Sequence, residues 1–549
     1  MTQPPPGPPE PQGQFGPPPR LPAPPEGFGP PQAGFGPPQA GFGPPQAGFG
    51  PPQAGFGPPL EPPPGGFGPP APPPPPRARR RRAVVIASVA ALALVAGGGA
   101  WYVAARGDGS DGGGGKGGGK KPGPAYARPK EVVPADPKAT FHGGAPVPKL
   151  PGKDSTWPVK GSWLTDEVYV KSSVAKITGL DAATGETRWT LPKPGQSCGG
   201  SPEVGAGGIA VVVIAPTPYD KKGYRTPCTQ VMAFKVATGE KLWTKTVRVG
   251  YQTEKTAFNQ VAISGRTVAV GGLYGGAAFD LRTGEPRWKP SASDTCRDVG
   301  YGGGARLVAI RSCGDYGSQK YEVQDLDPRT GKPHWRYKLP GGVKNLNVIS
   351  TSPAVVGVDS GEITGQGASD VFALDGRGKL RSKISLPERR YMHDCGDTSV
   401  VNDCQGLVVG NDRLYAPTAR RNAKDGISST NDIVVFSLAT GKTTGQRGNT
   451  DSKGPLFPFR MDGGNVLAYR DQLGVQVVTL DGRTLREKKL LTSTKRPSGL
   501  VPVGSELLFT HGRLYISTDL VSRSSSKTQQ FMMYVFARKD QEGQRGQGG

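Results

Sequence analysis

GLDAATGETRW, residues 179–189, is the first of four close copies of one sequence motif. The other three copies are FKVATGEKLW (234–243), FDLRTGEPRW (279–288) and LDPRTGKPHW (326–335). Each copy reads as the end of a strand, a polar turn with a glycine, and a second strand that carries Trp. The Asp181 carboxylate can accept hydrogen bonds from backbone amides downstream, and Gly185 can adopt the positive φ that such a turn requires. The motif therefore predicts a hairpin corner that is used repeatedly.

The spacing of the copies indicates a repeat architecture. The turn glycines of the four copies are 54, 45 and 47 residues apart, and weaker copies of the turn follow at 372–380, 436–444 and 479–487. A period of about 40–50 residues fits one four-stranded propeller blade. A tryptophan occupies the same place after each of the four turns, where we expect its ring to pack between neighbouring sheets. These residues are Trp189, Trp243, Trp288 and Trp335.

The number of blades follows from what surrounds the turns. A short β-rich run precedes each of the seven turns, and one more such run, GRLYIST (512–518), is followed by FMMYVFA (531–537) without an outer strand. We expect a segment in about Ala139–Val147 to supply that strand, because the ring then closes and leaves no open sheet edge. The predicted fold is all-β, an eight-bladed β-propeller over residues 135–540. Seven blades with a decorated C-terminus is the alternative.

The residues before the propeller have a different composition. Pro and Gly dominate residues 1–76, where GFGPPQA recurs. Such a stretch cannot bury enough apolar surface to fold, so we predict a disordered tail and treat it as a solvated spacer. The alternative is that its regularly spaced Phe and Pro-Pro pairs bind a proline-recognising cytoplasmic partner. Residues 541–549 are also predicted to be disordered.

A membrane anchor is predicted between the tail and the propeller. The apolar run 83–105 carries no charge and is long enough to cross a bilayer as a helix. The basic stretch 77–82 before it belongs on the cytoplasmic side, and a Gly-rich, flexible linker, 106–134, follows. An uncleaved signal peptide is the alternative, but the run lies far from the N-terminus. We therefore predict a single-pass protein of the cell membrane with a cytoplasmic N-terminus and an extracellular propeller.

The charge of the propeller suggests acidic partners. Residues 131–549 hold 56 Lys and Arg against 39 Asp and Glu, a net charge of +17. A basic domain outside the cell is attracted to anionic envelope polymers, lipid headgroups or acidic proteins, and no nucleic acid is expected there. Solubility alone is the alternative explanation of this charge.

The motif copies LDAATGETRW, KVATGEKLW and DLRTGEPRW resemble the tryptophan-docking repeat of the pyrroloquinoline-quinone (PQQ)-type propellers. The resemblance covers about residues 135–540 and implies the propeller fold. That family contains quinoprotein dehydrogenases and also non-enzymatic members, so the resemblance alone does not imply a cofactor.

The sequence lacks several features that the resemblance implies for the enzymes of the family. Those enzymes are expected to carry adjacent cysteines over the quinone, a Trp floor beneath it, a calcium ion held by carboxylate and amide oxygens, and an Asp base. The chain has no adjacent cysteine pair and no C-x-x-C-H haem motif. We therefore predict no cofactor, and PQQ with calcium only under the alternative of an extracytoplasmic dehydrogenase.

Six cysteines in a domain placed outside the membrane suggest disulfides, and six allow 15 pairings. In the predicted blade register, the six cysteines lie close to one another in three pairs. We expect local bonds without a redox role, namely Cys198–Cys228, Cys296–Cys313 and Cys395–Cys404.

Three long loops are predicted to collect on one face of the propeller. The segments 215–229, 418–432 and 518–530 each join the second to the third strand of a blade, and they are rich in basic residues. Loops on a rigid scaffold are where binding residues usually collect. The candidate binding residues are Lys221, Lys222, Arg225, Arg420, Arg421, Lys424, Arg523 and Lys527.

These observations predict a function without catalysis. We expect a membrane-tethered extracellular propeller that binds a protein or an anionic envelope polymer as a scaffold or adaptor. The alternatives are a PQQ-dependent dehydrogenase and a cell-surface sensor coupled to the cytoplasmic Pro-rich tail.

Overall fold

The computed structural model describes residues 130–538, except for 249–254, 292, 316, 362–366, 397–399, 450–453, 473, 503 and 524–529. The predicted tail (1–76), basic stretch (77–82), membrane span (83–105), C-terminus (541–549) and most of the linker therefore lie outside the described residues. Within residues 130–538, where described, no helix is long and apolar enough to cross a membrane. All regular structure in this part of the chain is β.

Eight antiparallel sheets of four strands form the blades, numbered here in chain order. Blade 1 contains Ser162–Leu164, Val168–Ser172, Lys176–Asp181 and Thr187–Pro192. Blade 2 contains Ser197–Gly200, Ile209–Ile214, Gln230–Lys235 and Lys241–Thr246. Blade 3 contains Gln260–Ser264, Thr267–Gly271, Ala277–Asp280 and Pro286–Trp288. Blade 4 contains Cys296–Gly302, Leu307–Cys313, Lys320–Leu326 and Pro333–Lys338.

The remaining blades follow the same order of strands from the inside outwards. Blade 5 contains Asn345–Thr351, Ala354–Asp359, Asp370–Leu374 and Leu380–Ser385. Blade 6 contains Val408–Gly410, Arg413–Pro417, Ile433–Ser437 and Thr443–Gly448. Blade 7 contains Leu456–Asp462, Asn465–Asp471, Val475–Leu480 and Glu487–Ser493. Blade 8 contains Glu506–Thr510, Arg513–Ser517, Phe531–Arg538 and, as its outer strand, Ala139–Pro146.

The outer strand of blade 8 closes the ring. Ala139–Pro146 runs antiparallel to Phe531–Arg538, with Ala139 opposite Arg538 and Pro146 opposite Phe531. This strand comes from before blade 1, so the first and last parts of the propeller share one sheet. The structure confirms the eight-bladed fold and the predicted closing segment, and the seven-bladed alternative is wrong.

Three short strand pairs lie outside the blades. Thr156–Pro158 pairs with Leu520–Ser522, Asp394–Cys395 with Cys404–Gln405, and Arg421–Asn422 with Ser429–Thr430. All three pairs lie in loops or connections on the same side of the propeller.

The repeated turn has the predicted geometry. The Asp181 carboxylate accepts hydrogen bonds from the backbone N–H groups of Ala183 and Thr184, each 2.7 Å long. Gly185 has a φ of 75°, which a residue with a Cβ adopts only with strain. The sequence thus specifies this corner locally, through an acceptor at its first position and a glycine near its end.

Each repeated tryptophan packs on the corner of the next blade. A Cβ at the turn glycine Gly284 would lie 2.7 Å from the Trp243 ring, and Trp243 Nε1 donates to the Leu281 carbonyl at 3.0 Å. The same contact recurs between Trp189 and Gly239, where the Cβ would lie 2.4 Å from the ring. Trp288 and Trp335 lie in the same way against Gly331 and Gly378. The motif therefore packs each blade against the next.

The blades also share their apolar surfaces. The strand Ile209–Ile214, with the sequence IAVVVI, is buried along its whole length because a neighbouring blade covers each face of the sheet. Its continuous apolar character is the pattern expected of a fully buried strand. The core of the propeller thus lies between blades rather than at one centre.

The disulfides are the three pairs that the sequence predicts. Cys198 bonds to Cys228, Cys296 to Cys313, and Cys395 to Cys404. No free cysteine is found among the described residues. The first pair joins the inner strand of blade 2 to the loop between its second and third strands, the second joins adjacent strands of blade 4, and the third closes a hairpin between blades 5 and 6.

Two faces of the ring follow from this topology. The loops from second to third strands and the connections between blades lie on one face, here called the top face. The turns from first to second and from third to fourth strands, including all the Thr-Gly turns, lie on the other, the bottom face. The described chain starts on the bottom face, where the Glu131 N–H donates to the Asp462 carboxylate at 3.1 Å and Arg460 contacts the Glu131 carboxylate at 3.4 Å.

Candidate binding face

The predicted basic residues lie on the top face, but not in one patch. Lys221, Lys222 and Arg225 belong to blade 2, and Arg523 belongs to blade 8. Arg420, Arg421 and Lys424 belong to blade 6, which lies opposite blade 2 in a ring of eight. Lys527 is outside the described residues. The loops share the top face, and the ring separates the blade 6 loop from those of blades 2 and 8. Binding by these residues stays a prediction.

The arginines of this set are engaged within the propeller. Arg225 pairs with Asp154 at 3.2 Å, Arg420 with Asp471 at 3.0 Å, and Arg421 with Asp432 at 2.5 Å. Arg523 donates to the carbonyls of Gly152 and Asp154 at 2.9 Å and 3.2 Å. These contacts hold loops in place, and three of them offset the charge of the arginine. The sequence identified these residues as basic but could not show their carboxylate partners.

Lys221 and Lys222 differ from the arginines. Both side chains are exposed at the tip of the blade 2 loop, and neither forms an ion pair within the part of the chain that the structure describes. Arg225 supports the loop from below: it lies over the Trp157 ring, 5.3 Å from its centroid, and donates to the Thr156 carbonyl at 2.8 Å. Arg225 therefore fixes the loop, and the two lysines at its tip remain available to an acidic partner.

A disulfide-closed hairpin lies across the centre of the top face. We call residues 391–406 the plug. Its Val401 carbonyl accepts from the Val348 N–H of blade 5 at 2.6 Å, and its Asn402 Nδ2 donates to the Val261 carbonyl of blade 3 at 3.1 Å. Its Gln405 Oε1 accepts from the Gly504 N–H, next to blade 8, at 3.1 Å. The plug thus connects blades on three sides of the central channel.

The sequence contained one signal for the plug. The connection between blades 5 and 6, residues 386–407, is 22 residues long and is the longest between any two blades. The Cys395–Cys404 pair was predicted from the sequence, but only as a local bond without a redox role. Contacts with blades 3 and 5 could not be anticipated, because they join residues that are far apart in the chain.

The centre of the top face is acidic. A cavity of about 620 Å³ lies in the channel between the plug and blades 1, 2, 3 and 8, and Asp394, Asp403 and Asp519 line it together with Lys160. Burial raises the pKa of Asp403 above its ordinary value, and the neighbouring carboxylates add to this effect. Lys160 lies 3.7 Å from Asp519. An acidic centre and basic rim loops therefore share this face.

Glu506 lines the same cavity but has a structural role. Its carboxylate accepts from Lys171 Nζ at 2.6 Å, from the Gly161 N–H at 2.9 Å and from Ser517 Oγ at 3.1 Å. Lys171 is buried, so the carboxylate supplies the partner that a buried ammonium group needs. These contacts tie blade 8 to blade 1 at the inner end of both sheets.

Exposed apolar side chains concentrate on the top face. Nine large hydrophobic residues of the described chain are exposed, and six of them lie in top-face loops. These six are Tyr224, Leu273, Tyr274, Ile427, Val501 and Leu520. Tyr224 is 70% exposed beside the two free lysines, and Ile427 is 94% exposed at the tip of the blade 6 loop. These residues were not identified from the sequence, because apolar residues in polar loops indicate a surface only once the fold shows that the loops share a face.

The described residues do not fit the quinone site of the enzymatic PQQ-type propellers. All six cysteines are bonded to partners at least nine residues away, so no adjacent pair can cover a quinone. The four repeated tryptophans pack between blades at their outer strands and do not form a floor in the channel. Among the residues that the structure describes, no group of three or more His, Cys, Asp or Glu is arranged to hold a metal ion.

Several solved structures are similar to this chain at low sequence identity. Among solved structures, BamB from Moraxella catarrhalis is 13% identical, with 71% of this chain and 98% of that chain covered and a TM-score of 0.37. Hydrazine synthase from Kuenenia stuttgartiensis is 13% identical, with 62% and 97% covered and a TM-score of 0.36. Sqt1 from Saccharomyces cerevisiae is 10% identical, with 75% and 100% covered and a TM-score of 0.39. No curated protein sequence matches the chain.

A family model identifies the chain more directly. The model described as outer membrane protein assembly factor BamB matches residues 145–299 and 229–444, which overlap and together span more than half of the 549 residues. The matched span begins near the closing strand and extends into blade 6, so it covers the four strong copies of the turn and two weaker ones. The chain therefore belongs to the PQQ-like β-propeller repeat family that this BamB model represents.

Proposed function

We propose that the propeller is a non-catalytic binding module that holds a partner protein on its top face. The observation that carries this proposal is the concentration of six of the nine exposed large hydrophobic residues in top-face loops. These six side chains are distributed over the loops of blades 2, 3, 6 and 8 and the connection between blades 7 and 8. Loops on a rigid scaffold are where binding residues usually collect. The bottom face consists instead of short repeated turns, whose conserved geometry leaves little surface for a specific partner.

The charges of the top face indicate the kind of partner. Lys221 and Lys222 favour acidic groups at the blade 2 rim, whereas Asp394, Asp403 and Asp519 at the centre repel them. A uniformly anionic polymer would meet repulsion at the centre and would gain nothing from the exposed apolar residues. A folded protein with an apolar patch and a nearby acidic patch fits both features, so a protein is the better candidate.

The anchor that we propose for the chain agrees with this arrangement. A membrane span at 83–105 would place the propeller outside the cell, and three disulfides suit an oxidising compartment. The chain reaches the propeller on the bottom face, through the contact of Glu131 with Asp462. The proposed role is that of a cell-surface scaffold or adaptor, in keeping with a family described as an assembly factor.

The test compares two variants of the full-length chain in the same cells. The top-face variant carries Lys221→Glu, Lys222→Glu and Ile427→Ser, and the control carries Lys332→Glu, Lys442→Glu and Leu380→Ser on the bottom face. All six side chains are exposed, so both variants should fold. Chemical cross-linking of intact cells followed by purification should recover the partner about tenfold less with the top-face variant. Equal recovery with both variants would refute the proposal.

Envelope binding by the wild-type chain separates a protein ligand from an anionic polymer. Retention on isolated envelopes, before and after protease treatment, measures how much binding depends on protein. Protease treatment of the envelopes should abolish their retention of the wild-type chain. Retention that survives protease and disappears in high salt would show that an anionic polymer is the ligand.

A further inference from the structure

A second cavity opens on the top face between the plug and blades 6, 7 and 8. Its volume is about 410 Å³, within the range of small-ligand pockets. Its walls are mostly aromatic and aliphatic, and they include Met392, Leu407, Phe457, Phe459, Tyr469 and Leu507. Pro502 and Ser505 line it next to the exposed Val501, so the cavity adjoins the apolar part of the proposed binding face.

Two polar groups in this cavity lack partners. Tyr469 is fully buried, and its hydroxyl has no hydrogen-bond partner within the described residues. His393 also lines the cavity, and its Nδ1 atom is buried and equally unpaired there. A buried polar group without a partner costs about 1–3 kcal/mol. Of the fourteen such atoms among the described residues, these two are the ones whose residues line this cavity. Two beside one cavity indicate that the cavity is built to receive hydrogen-bonding groups.

Both groups are neutral at physiological pH. Burial raises the pKa of the Tyr469 hydroxyl well above its ordinary value, so this group keeps its proton and can both donate and accept. Burial also lowers the pKa of His393. The cavity therefore offers neutral hydrogen-bonding groups within largely apolar walls. Asp394 and Glu506 also line it, so it disfavours a carboxylate group on the ligand.

We propose that this cavity receives an aromatic side chain with a polar tip, tyrosine or tryptophan, from the partner protein. The inference rests on the proposed function, because it assumes that a protein binds the top face. The ring of such a side chain would pack against Phe457 and Phe459, and its hydroxyl or N–H would pair with the Tyr469 hydroxyl. A leucine or phenylalanine would fill the space but leave Tyr469 unpaired.

The wall of the cavity is already stabilised from outside. Arg420 lies over the Phe457 ring, 5.6 Å from its centroid, and its ion pair with Asp471 fixes it there. On the other side, the Cys395–Cys404 bond and the pairing of Asp394 with Gln405 hold the plug residues. A binding pocket with fixed walls loses little conformational entropy when a side chain enters it. One of the predicted basic residues, Arg420, thus supports the pocket instead of contacting the partner through its charge.

The test uses small probes in place of the unknown partner. N-acetyl-tyrosinamide, N-acetyl-phenylalaninamide and N-acetyl-alaninamide are titrated into the full-length chain in lipid nanodiscs, and saturation-transfer NMR is compared with empty nanodiscs. The tyrosine probe should bind saturably at millimolar concentrations, about five- to tenfold more tightly than the phenylalanine probe, because of one added hydrogen bond. The alanine probe should not bind.

Two variants locate the binding. Tyr469→Phe should remove the preference for tyrosine over phenylalanine and leave phenylalanine binding unchanged, and it should hardly alter the melting temperature because the hydroxyl has no partner. Leu507→Trp should fill the cavity and abolish binding of both aromatic probes. A tyrosine preference that persists in Tyr469→Phe, or no saturable binding by the wild-type chain, would overturn the inference. Probe binding is measured without the partner, so this result is independent of whether top-face substitutions reduce partner recovery.

Discussion

The bottom and top faces of the propeller share one topology but are built from different kinds of sequence. On the bottom face, many corners begin with an aspartate that accepts backbone hydrogen bonds. Examples are Asp181, Asp327 and Asp481. The Thr330 amide and hydroxyl hold the pKa of Asp327 below its ordinary value. On the top face no loop repeats another, and long loops, a plug and two cavities replace the short turns.

The difference indicates where we expect stability and binding to reside in this molecule. The repeated residues make contacts that join each blade to the next, and these contacts are the same around much of the ring. The residues that do not repeat make contacts between distant parts of the chain and leave apolar side chains exposed. We therefore expect substitutions on the bottom face to change the stability of the fold, and substitutions on the top face to change binding.

The largest effect is expected from removal of a repeated tryptophan. Trp243→Ala should lower the free energy of unfolding by about 3–5 kcal/mol, because the ring is 7% exposed and packs on Gly284 and Phe279 of the next blade. Denaturant unfolding of purified protein measures the change. Lys241→Ala, at an exposed position of the same strand, is the control and should cost less than about 0.5 kcal/mol. A loss below about 1 kcal/mol for Trp243→Ala would mean that the ring does not join the blades.

A smaller and more local effect is expected in the plug. Replacing Cys395 and Cys404 together by Ser should cost about 2–3 kcal/mol, the chain entropy of a loop closed over nine residues. Hydrogen exchange should accelerate in residues 391–406 and at the Val348 N–H, which donates to the plug, and remain unchanged in the second strands of blades 3 and 5. Replacement of the blade 4 pair, Cys296 and Cys313, is the matched control and should leave exchange in the plug unchanged. Faster exchange throughout the ring would contradict the description of the plug as a separate insertion.

The bottom face should also give a measurable pH dependence through Glu203. Burial raises the pKa of Glu203 to about 7, and a hydrogen bond from the Ile263 N–H opposes the shift only in part. The folded state then binds more protons than the unfolded state between the ordinary pKa of 4.5 and about 7, so Glu203 makes stability fall as pH rises through that window.

Glu203→Gln is expected to remove that fall in stability. The variant should gain melting temperature relative to the wild type at pH 8 and differ little from it at pH 4.5. Thermal unfolding of both proteins across this range gives the comparison. An equal shift at both pH values would show that a change in packing, and not ionisation, causes the difference.

The smallest effect on stability is expected on the top face. Lys221→Glu combined with Lys222→Glu should change the free energy of unfolding by less than about 0.5 kcal/mol, because both side chains are exposed. The same variant should bind an immobilised acidic peptide more weakly at low salt, and the difference should shrink as salt screens the charges. Binding equal to that of the wild type at low salt would remove these lysines from the proposed surface.

The sequence predicts the fold well because the fold is specified locally. The Asp, Gly and Trp of each corner lie within about ten residues of one another. Their positions in the sequence therefore determine their relative positions in the fold. Closure by a strand within Ala139–Pro146 was predictable for a different reason: an open sheet edge had to be covered, and one strand was missing. The cysteine pairs followed from the register of the blades.

The site was predictable only in part. Topology alone places the loops 215–229 and 418–432 on one face, because connections alternate between faces along every blade. Topology did not indicate that Arg225 pairs with Asp154, or Arg420 with Asp471, since each pair joins residues that are more than 50 positions apart. The unpaired Tyr469 hydroxyl was equally hidden, because its surroundings come from the packing of blade 7 against the plug.

The central claim is that the top face binds a protein and the bottom face does not. Site-specific incorporation of a photo-crosslinking amino acid tests it most directly, at Ile427 on the top face and at Leu380 on the bottom face, in the full-length chain in living cells. The two positions are 94% and 43% exposed, so neither is shielded by the propeller itself. We predict a discrete protein adduct after irradiation from position 427 and none from position 380. Adducts from position 380, with none from 427, would contradict the account.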